Sequence, residues 1–167
     1  QRGRPAQQFN LDLRVRGIMS SKAMKLANPS IALDRWREQI SHGPVAADYE
    51  QFYAHLKAAH LPHTVIIDCS ASQEVANRYH GWLAAGVHVI TPNKKANSGP
   101  LPYYRSLEQA RRASGAHYLY HATVGAGLPV IHTLRDLRET GDEVMSIEGI
   151  FSGTLAYLFN VYNGARP

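Results

Sequence analysis

Two apolar periods, one of strands and one of helices, take turns along this chain. Leu11 to Met19 alternates apolar and polar positions, as a strand does, and ends in the polar triplet Ser20-Ser21-Lys22. Trp36 and Ile40, four apart, predict a short helix starting near Ser30. Asp48 is placed to cap a second helix through Ala59, with Tyr49, Phe52, Tyr53 and Leu56 on one face. Thr64 to Cys69 is a continuous run rich in β-branched residues, the pattern of a parallel strand covered on both faces. Ser72 suits the N-cap of a helix from Gln73 to Ala85, carrying Val75, Tyr79, Trp82 and Leu83 and closed by Gly86. Val87 to Ile90 is the next strand, and Leu101 to Ser114 the next helix. Tyr118 to Tyr120 forms a further strand, leading through Ala122-Thr123-Val124-Gly125-Ala126-Gly127 into a helix from Leu128 to Thr140. Glu143 to Phe151 alternates once more, and Ser152-Gly153-Thr154 caps a last helix with Leu155, Leu158 and Phe159 facing inward.

Strands and helices alternating at this spacing imply βαβ units and a doubly wound, mostly parallel sheet of the Rossmann kind. Ligands of such sheets bind beyond the carboxyl ends of the strands. Four loops fall there: Ser20 to Lys22, Ser70 to Ser72, Thr91 to Lys95 and Ala122 to Gly127. All are small, polar or basic. The glycine loop followed by Pro129 has two readings, a tight structural turn or a presentation of backbone N–H groups to an anion at a helix start.

Composition narrows the class. At 44% hydrophobic and 19% charged residues the chain is globular. No apolar run approaches the roughly 20 residues that cross a bilayer, and the polar opening Gln1 to Pro5 has no apolar core of a signal peptide. A single cysteine, Cys69, excludes an internal disulfide and fits a reducing, cytoplasmic compartment. The net charge of +5 comes from scattered Lys and Arg with no basic run interleaved with aromatics, which favours a phosphorylated small molecule over nucleic acid. Nine histidines lie singly, outside metal-binding spacings. The chain reads as a piece of a longer protein.

Three motifs in order, Thr91-Pro92-Asn93-Lys94-Lys95-Ala96, Ala122 to Pro129, and Gly149-Ile150-Phe151-Ser152-Gly153-Thr154-Leu155, resemble homoserine dehydrogenase. More narrowly they resemble the dehydrogenase half of the bifunctional aspartokinase/homoserine dehydrogenases of bacteria. The resemblance implies an oxidoreductase that interconverts homoserine and aspartate 4-semialdehyde with NAD(P)H, on the route to threonine and methionine. It implies a partial Rossmann domain over 1–141, lacking its first strand, and the start of an α+β substrate-binding and dimerisation domain over 142–167. The complete protein would be a homo-oligomer acting on a small molecule.

By the same resemblance, Ser70 and the adjacent Ala71 fall at a cofactor-contacting position. Lys94 matches the lysine at the nicotinamide side of the cleft, where the alternative is a solvated surface lysine. Ser20, Ser21 and Lys22 fall where the adenosine ribose is read. Hydroxyls and a cation there favour the 2′-phosphate of NADP over NAD, unless the triplet is an ordinary polar turn. The family's glycine loop holds a monovalent cation such as sodium through carbonyls matching Val124, Ala126 and Leu128. Many relatives place a Glu where this chain has His121, which cannot offer a carboxylate to a hard cation. The phosphate-cradling G-x-G-x-x-G is expected before Gln1, and the segment with the proton-transfer residues after Pro167. The chain alone is therefore expected to be inactive and, with an exposed sheet edge, of low stability. Two other readings remain open: another NAD(P)-dependent dehydrogenase on the same fold, or a non-catalytic nucleotide-binding or subunit-interaction module.

Overall fold

The computed structural model describes residues 9–41, 45–57, 63–150 and 152–164. They fall into two compact units, Gln1–Thr64 and Val65–Pro167. The division expected at residue 141 lies within the second unit.

The first unit is built on a small antiparallel sheet in the order β1-β2-β3, with β1 Gly17–Met19, β2 Ala23–Leu26 and β3 Val45–Ala46. Ile18 pairs with Lys25, so the polar triplet Ser20 to Lys22 is a hairpin turn. The strand expected from Leu11 is thus shortened to its last three residues, and the chain returns directly as β2 instead of entering a helix. The second helix forms as its residues dictate. The Asp48 carboxylate accepts from Glu50 N and Gln51 N, both at 2.9 Å, and caps α2 (Tyr49–Leu56); α1 is Trp36–Ser41. The residues expected at the end of this helix, Ala58 and Ala59, lie outside the described residues. Phe52 of α2 lies against Gly17, where an added Cβ would stand 2.7 Å from the ring. Met24 and Ile31 are the fully buried apolar residues of this unit.

The second unit carries a parallel sheet in the order β4-β5-β6: β4 Val65–Ile67, β5 His88–Ile90 and β6 Tyr118–Leu119. The crossover from β4 to β5 holds α3 (Gln73–Ala76) and α4 (Tyr79–Ala84); that from β5 to β6 holds α5 (Leu101–Ser114). The expected continuous helix from Gln73 is broken at Asn77. There the Asn77 side chain accepts from Gln73 Nε2 at 2.8 Å, and Arg78 N reaches back three residues to Val75 O rather than four. Tyr79, Leu83, Val89, Leu107 and Tyr118 form the buried core between helices and sheet. Parallel strands joined by helices give this chain a Rossmann-like α/β fold.

Three expectations fail for one reason. Ile66 is buried, but Val65 and Ile67 are 47% and 66% exposed, so β4 is covered on one face only. Among the described residues it hydrogen-bonds one neighbouring strand and forms the sheet edge. Residues 143–150 form no strand, and Phe151 lies outside the described residues. The last helix, α7 (Gly153–Val161), is capped by Ser152 as expected, yet Leu155, Leu158 and Phe159 are exposed, Phe159 at 78%. A strand needs a ladder and an apolar stripe needs a facing surface, and the described residues supply neither to these segments.

Candidate functional site at the strand ends

The carboxyl ends of β4, β5 and β6 lie side by side, because the register aligns Ile67 with Ile90 and Ile90 with Leu119. The ladder continues one step further, with Asp68 N donating to Ile90 O at 3.0 Å and Thr91 N to Leu119 O at 2.9 Å. Three loops therefore leave the sheet at one rim: Asp68 to Ser72, Thr91 to Ser98 and Tyr120 to Leu128.

A buried polar network holds the first two together. The Asp68 carboxylate accepts from Ser70 N at 2.7 Å, from Asn93 Nδ2 at 3.0 Å and from the Tyr79 hydroxyl. Thr91 Oγ1 donates to Asp68 O at 3.0 Å, accepts from Asn93 N at 2.8 Å and lies 3.0 Å from the Tyr79 hydroxyl. Asn93 Nδ2 also donates to Ser72 O at 2.9 Å, and Asn93 Oδ1 accepts from Lys95 N at 3.1 Å. Asp68, Thr91, Asn93 and Tyr79 are all buried. Burial pushes the Asp68 carboxyl up. The hydrogen bonds from Tyr79, Ser70 and Asn93 outweigh it and hold the group below the usual carboxylate range. Burial, and then the hydrogen bond to Asp68, push the Tyr79 hydroxyl far above its ordinary value. Asp68 is a buried anion held by neutral donors.

Sequence reasoning did not single out these four residues. The available signal was positional: Asp68 and Thr91 each follow the last residue of an apolar strand, and the register makes them neighbours.

Ser70, Ala71 and Lys94 are exposed on this rim. Lys94 is held by its backbone, its carbonyl accepting from Asn97 N at 3.1 Å and Ser98 N at 2.9 Å. Ser20, Ser21 and Lys22 are exposed in the other unit. There Ser20 Oγ accepts from Lys22 N at 3.3 Å and Ala23 N at 3.1 Å, so the hydroxyl stabilises the hairpin.

The third loop opens with a 3-10 turn, His121–Thr123, in place of a plain coil. Gly125 and Ala126 follow in left-handed conformation, φ +70° and +51°. Leu128 N donates to Gly125 O at 2.9 Å, and Leu128 O accepts from Val130 N at 2.9 Å as α6 (Val130–Glu139) begins. Of the three carbonyls considered for a cation, that of Leu128 thus already accepts a hydrogen bond. The buried Nε2 of His121 has no hydrogen-bond partner among the described residues. Burial, then Arg135 and His132, lower its pKa. Among the described residues no group of three or more His, Cys, Asp or Glu could hold a metal ion. No described helix is long and apolar enough to cross a membrane.

Known proteins match this chain in sequence and in fold. A family model described as the NAD-binding domain of homoserine dehydrogenase matches residues 3–121, and one described as homoserine dehydrogenase matches residues 129–166. A chloroplastic bifunctional aspartokinase/homoserine dehydrogenase of Arabidopsis thaliana is 53% identical over 96% of this chain and 18% of its own length. A bifunctional enzyme of Escherichia coli is 38% identical over 90% of this chain and 19% of its own, and the homoserine dehydrogenase of Schizosaccharomyces pombe 41% over 80% and 35%. The chain thus spans about a fifth to a third of these relatives. Among solved structures, a Candida auris protein of unknown function superposes with a TM-score of 0.79 at 34% identity, covering 88% of this chain and 41% of that one. A hyperthermophilic archaeal homoserine dehydrogenase in complex with NADPH superposes at 0.60, with 22% identity over 79% and 42%, and shares the fold. With the first family model covering most of its length, this chain belongs to the homoserine dehydrogenase family, through its NAD-binding domain.

Proposed function

We propose that this chain forms the cofactor wall of an enzyme that interconverts L-homoserine and L-aspartate 4-semialdehyde with NADP(H), NAD(H) being the second candidate. The observation that carries the proposal is the single rim at which the Ser70 hydroxyl and the Lys94 ammonium stand exposed beyond adjacent parallel strands. That donor set fits a dinucleotide, which needs a hydroxyl or N–H at its ribose and phosphate oxygens and a cation near its charge. Ser70, Ala71 and Lys94 are the residues to hold it. The bound cofactor supplies hydride transfer at the C4 carbonyl. The chain's own share is to orient the cofactor, with Lys94 placed to neutralise phosphate or to stabilise negative charge developing on the substrate oxygen.

Any monovalent cation at this turn would be held by the carbonyls of Val124 and Ala126 and by water, since Leu128 O is engaged and His121 offers no carboxylate. The division at residue 141, a homo-oligomeric whole protein and a cytoplasmic setting belong to the same proposal.

The test is a fluorescence titration of the chain with NADPH, NADH and AMP. Binding of NADPH ahead of NADH, weakened about tenfold or more by Lys94→Ala, supports the reading, since one lost ion pair to phosphate is of that size. Binding of none of the three refutes it. The purified chain is expected to show no homoserine oxidation.

A further inference from the structure

Asn93 has no surface to offer a ligand, yet its amide touches everything around it. One N–H goes to Asp68 Oδ2 at 3.0 Å and the other to Ser72 O at 2.9 Å, while its oxygen takes Lys95 N at 3.1 Å. Its own N–H is held by Thr91 Oγ1 at 2.8 Å. The loop after β4, which exposes Ser70, and the loop after β5, which exposes Lys94, are thus joined through one side chain. We infer that Asn93, seated on the Asp68 carboxylate, is a positioning residue that sets the distance between Ser70 and Lys94 and so the span of cofactor the rim accepts. This inference rests on the proposed function for its ligand, but not for its geometry.

The chemistry of the pair explains why an amide stands at this position. Asp68 needs donors, and it has no cationic partner among the hydrogen bonds and ion pairs described here. An amide supplies two donors and one acceptor, which match Asp68, Ser72 O and Lys95 N. A carboxylate of the same shape would set two anions about 3 Å apart in a buried place. Such a pair holds together only when one member takes up a proton. The groups facing it from the packed elements are Tyr79 of α4 and the Thr91 hydroxyl of the β5 end, with Lys94 and Lys95 exposed on the loop itself. Asp68 is held below the usual carboxylate range and Tyr79 far above its own. Neither changes charge in the unaltered chain between about pH 5.5 and 8.5.

The experiment compares the unaltered chain, Asn93→Asp, Tyr79→Phe and the swap Asp68→Asn with Asn93→Asp. Each is titrated with NADPH from about pH 5.5 to 8.5, and amide hydrogen exchange is followed at Ser70, Asn93 and Lys95. In Asn93→Asp, affinity should fall about tenfold for each unit by which pH exceeds the raised pKa of the pair, and recover in acid. The three amides should exchange faster over the same range. Tyr79→Phe, which weakens the fold without adding a charge, should show no such slope. The swap restores an amide against a carboxylate and should flatten the profile again, which also guards against failure of the single variant to fold. An Asn93→Asp chain whose affinity, and whose amide protection factors after correction for the intrinsic pH dependence of exchange, are as constant with pH as those of the unaltered chain overturns the inference. Should the unaltered chain bind no dinucleotide, the proposed function falls, and the exchange profile alone decides whether Asn93 couples the two loops.

Discussion

Replacing Tyr79 by Phe removes one oxygen and leaves the ring. The ring keeps its neighbours Trp82 and Tyr118, both with centroids at 5.9 Å, so no large cavity opens. What is lost is a hydrogen bond to a buried carboxylate, while Ser70 N and Asn93 Nδ2 remain. Hydrogen bonds to charged groups contribute about 1.5 to 3 kcal/mol, and a loss of about 2 kcal/mol at pH 7 is expected. With a urea slope of roughly 2 kcal/mol/M the midpoint of unfolding falls by about 1 M. The pH dependence follows from the sign of the Asp68 shift. Its folded pKa lies below the unfolded value of about 3.9, so its contribution is complete above that value and is lost as pH falls through the folded pKa. Removing Tyr79's donor relaxes the depression, so the difference between the two chains is full at neutral pH and shrinks only as pH falls through the folded pKa of the variant and then that of the unaltered chain. Urea unfolding followed by circular dichroism at pH 7 reads the loss. A variant within about 0.5 kcal/mol of the unaltered chain at pH 7 would refute the view of Asp68 as an ion held by neutral donors.

Gly125→Ala places a Cβ at φ +70° and 3.1 Å from Val130 Cγ2, and should cost about 1 to 2 kcal/mol in thermal or urea melts. Ala126→Gly, relieving a left-handed alanine at φ +51°, should stabilise slightly in the same assay. Loss of the two-donor cap in Asp48→Ala should destabilise α2 by about 1 kcal/mol. The His121 imidazole should titrate, by proton NMR, below the usual histidine value of about 6.5, and Arg135→Ala should move it upward. Between its folded pKa and about 6.5 the unfolded chain binds the extra proton, so stability rises with pH across that window. With β4 at the sheet edge and the apolar face of α7 exposed, the chain alone should melt below about 45 °C; a cooperative transition above that would count against it.

Residue patterns alone were enough for what is local. The cap at Asp48, the helix from Leu101 to Ser114, the C-terminal glycine Gly86 and the strand expected over Val87 to Ile90, observed over His88 to Ile90, follow from spacing and from the conformational range of single residues. Of the four loops expected beyond parallel strands, those at Ser70, Thr91 and Ala122 lie there. Tertiary structure decided the rest. That Ser20 to Lys22 turns a hairpin depends on β2 pairing back with β1, a register that four residues of moderate strand character do not announce. That Val65 and Ile67 stay exposed depends on what lies against β4, which an apolar run cannot specify about itself. The union of Asp68, Tyr79, Thr91 and Asn93, spread over 26 positions of chain, exists because the β4–β5 register and the placement of α4 bring their polar atoms to one buried point. Sequence sets what each residue prefers within its own few neighbours, whereas a polar group's partner across the sheet is chosen by packing.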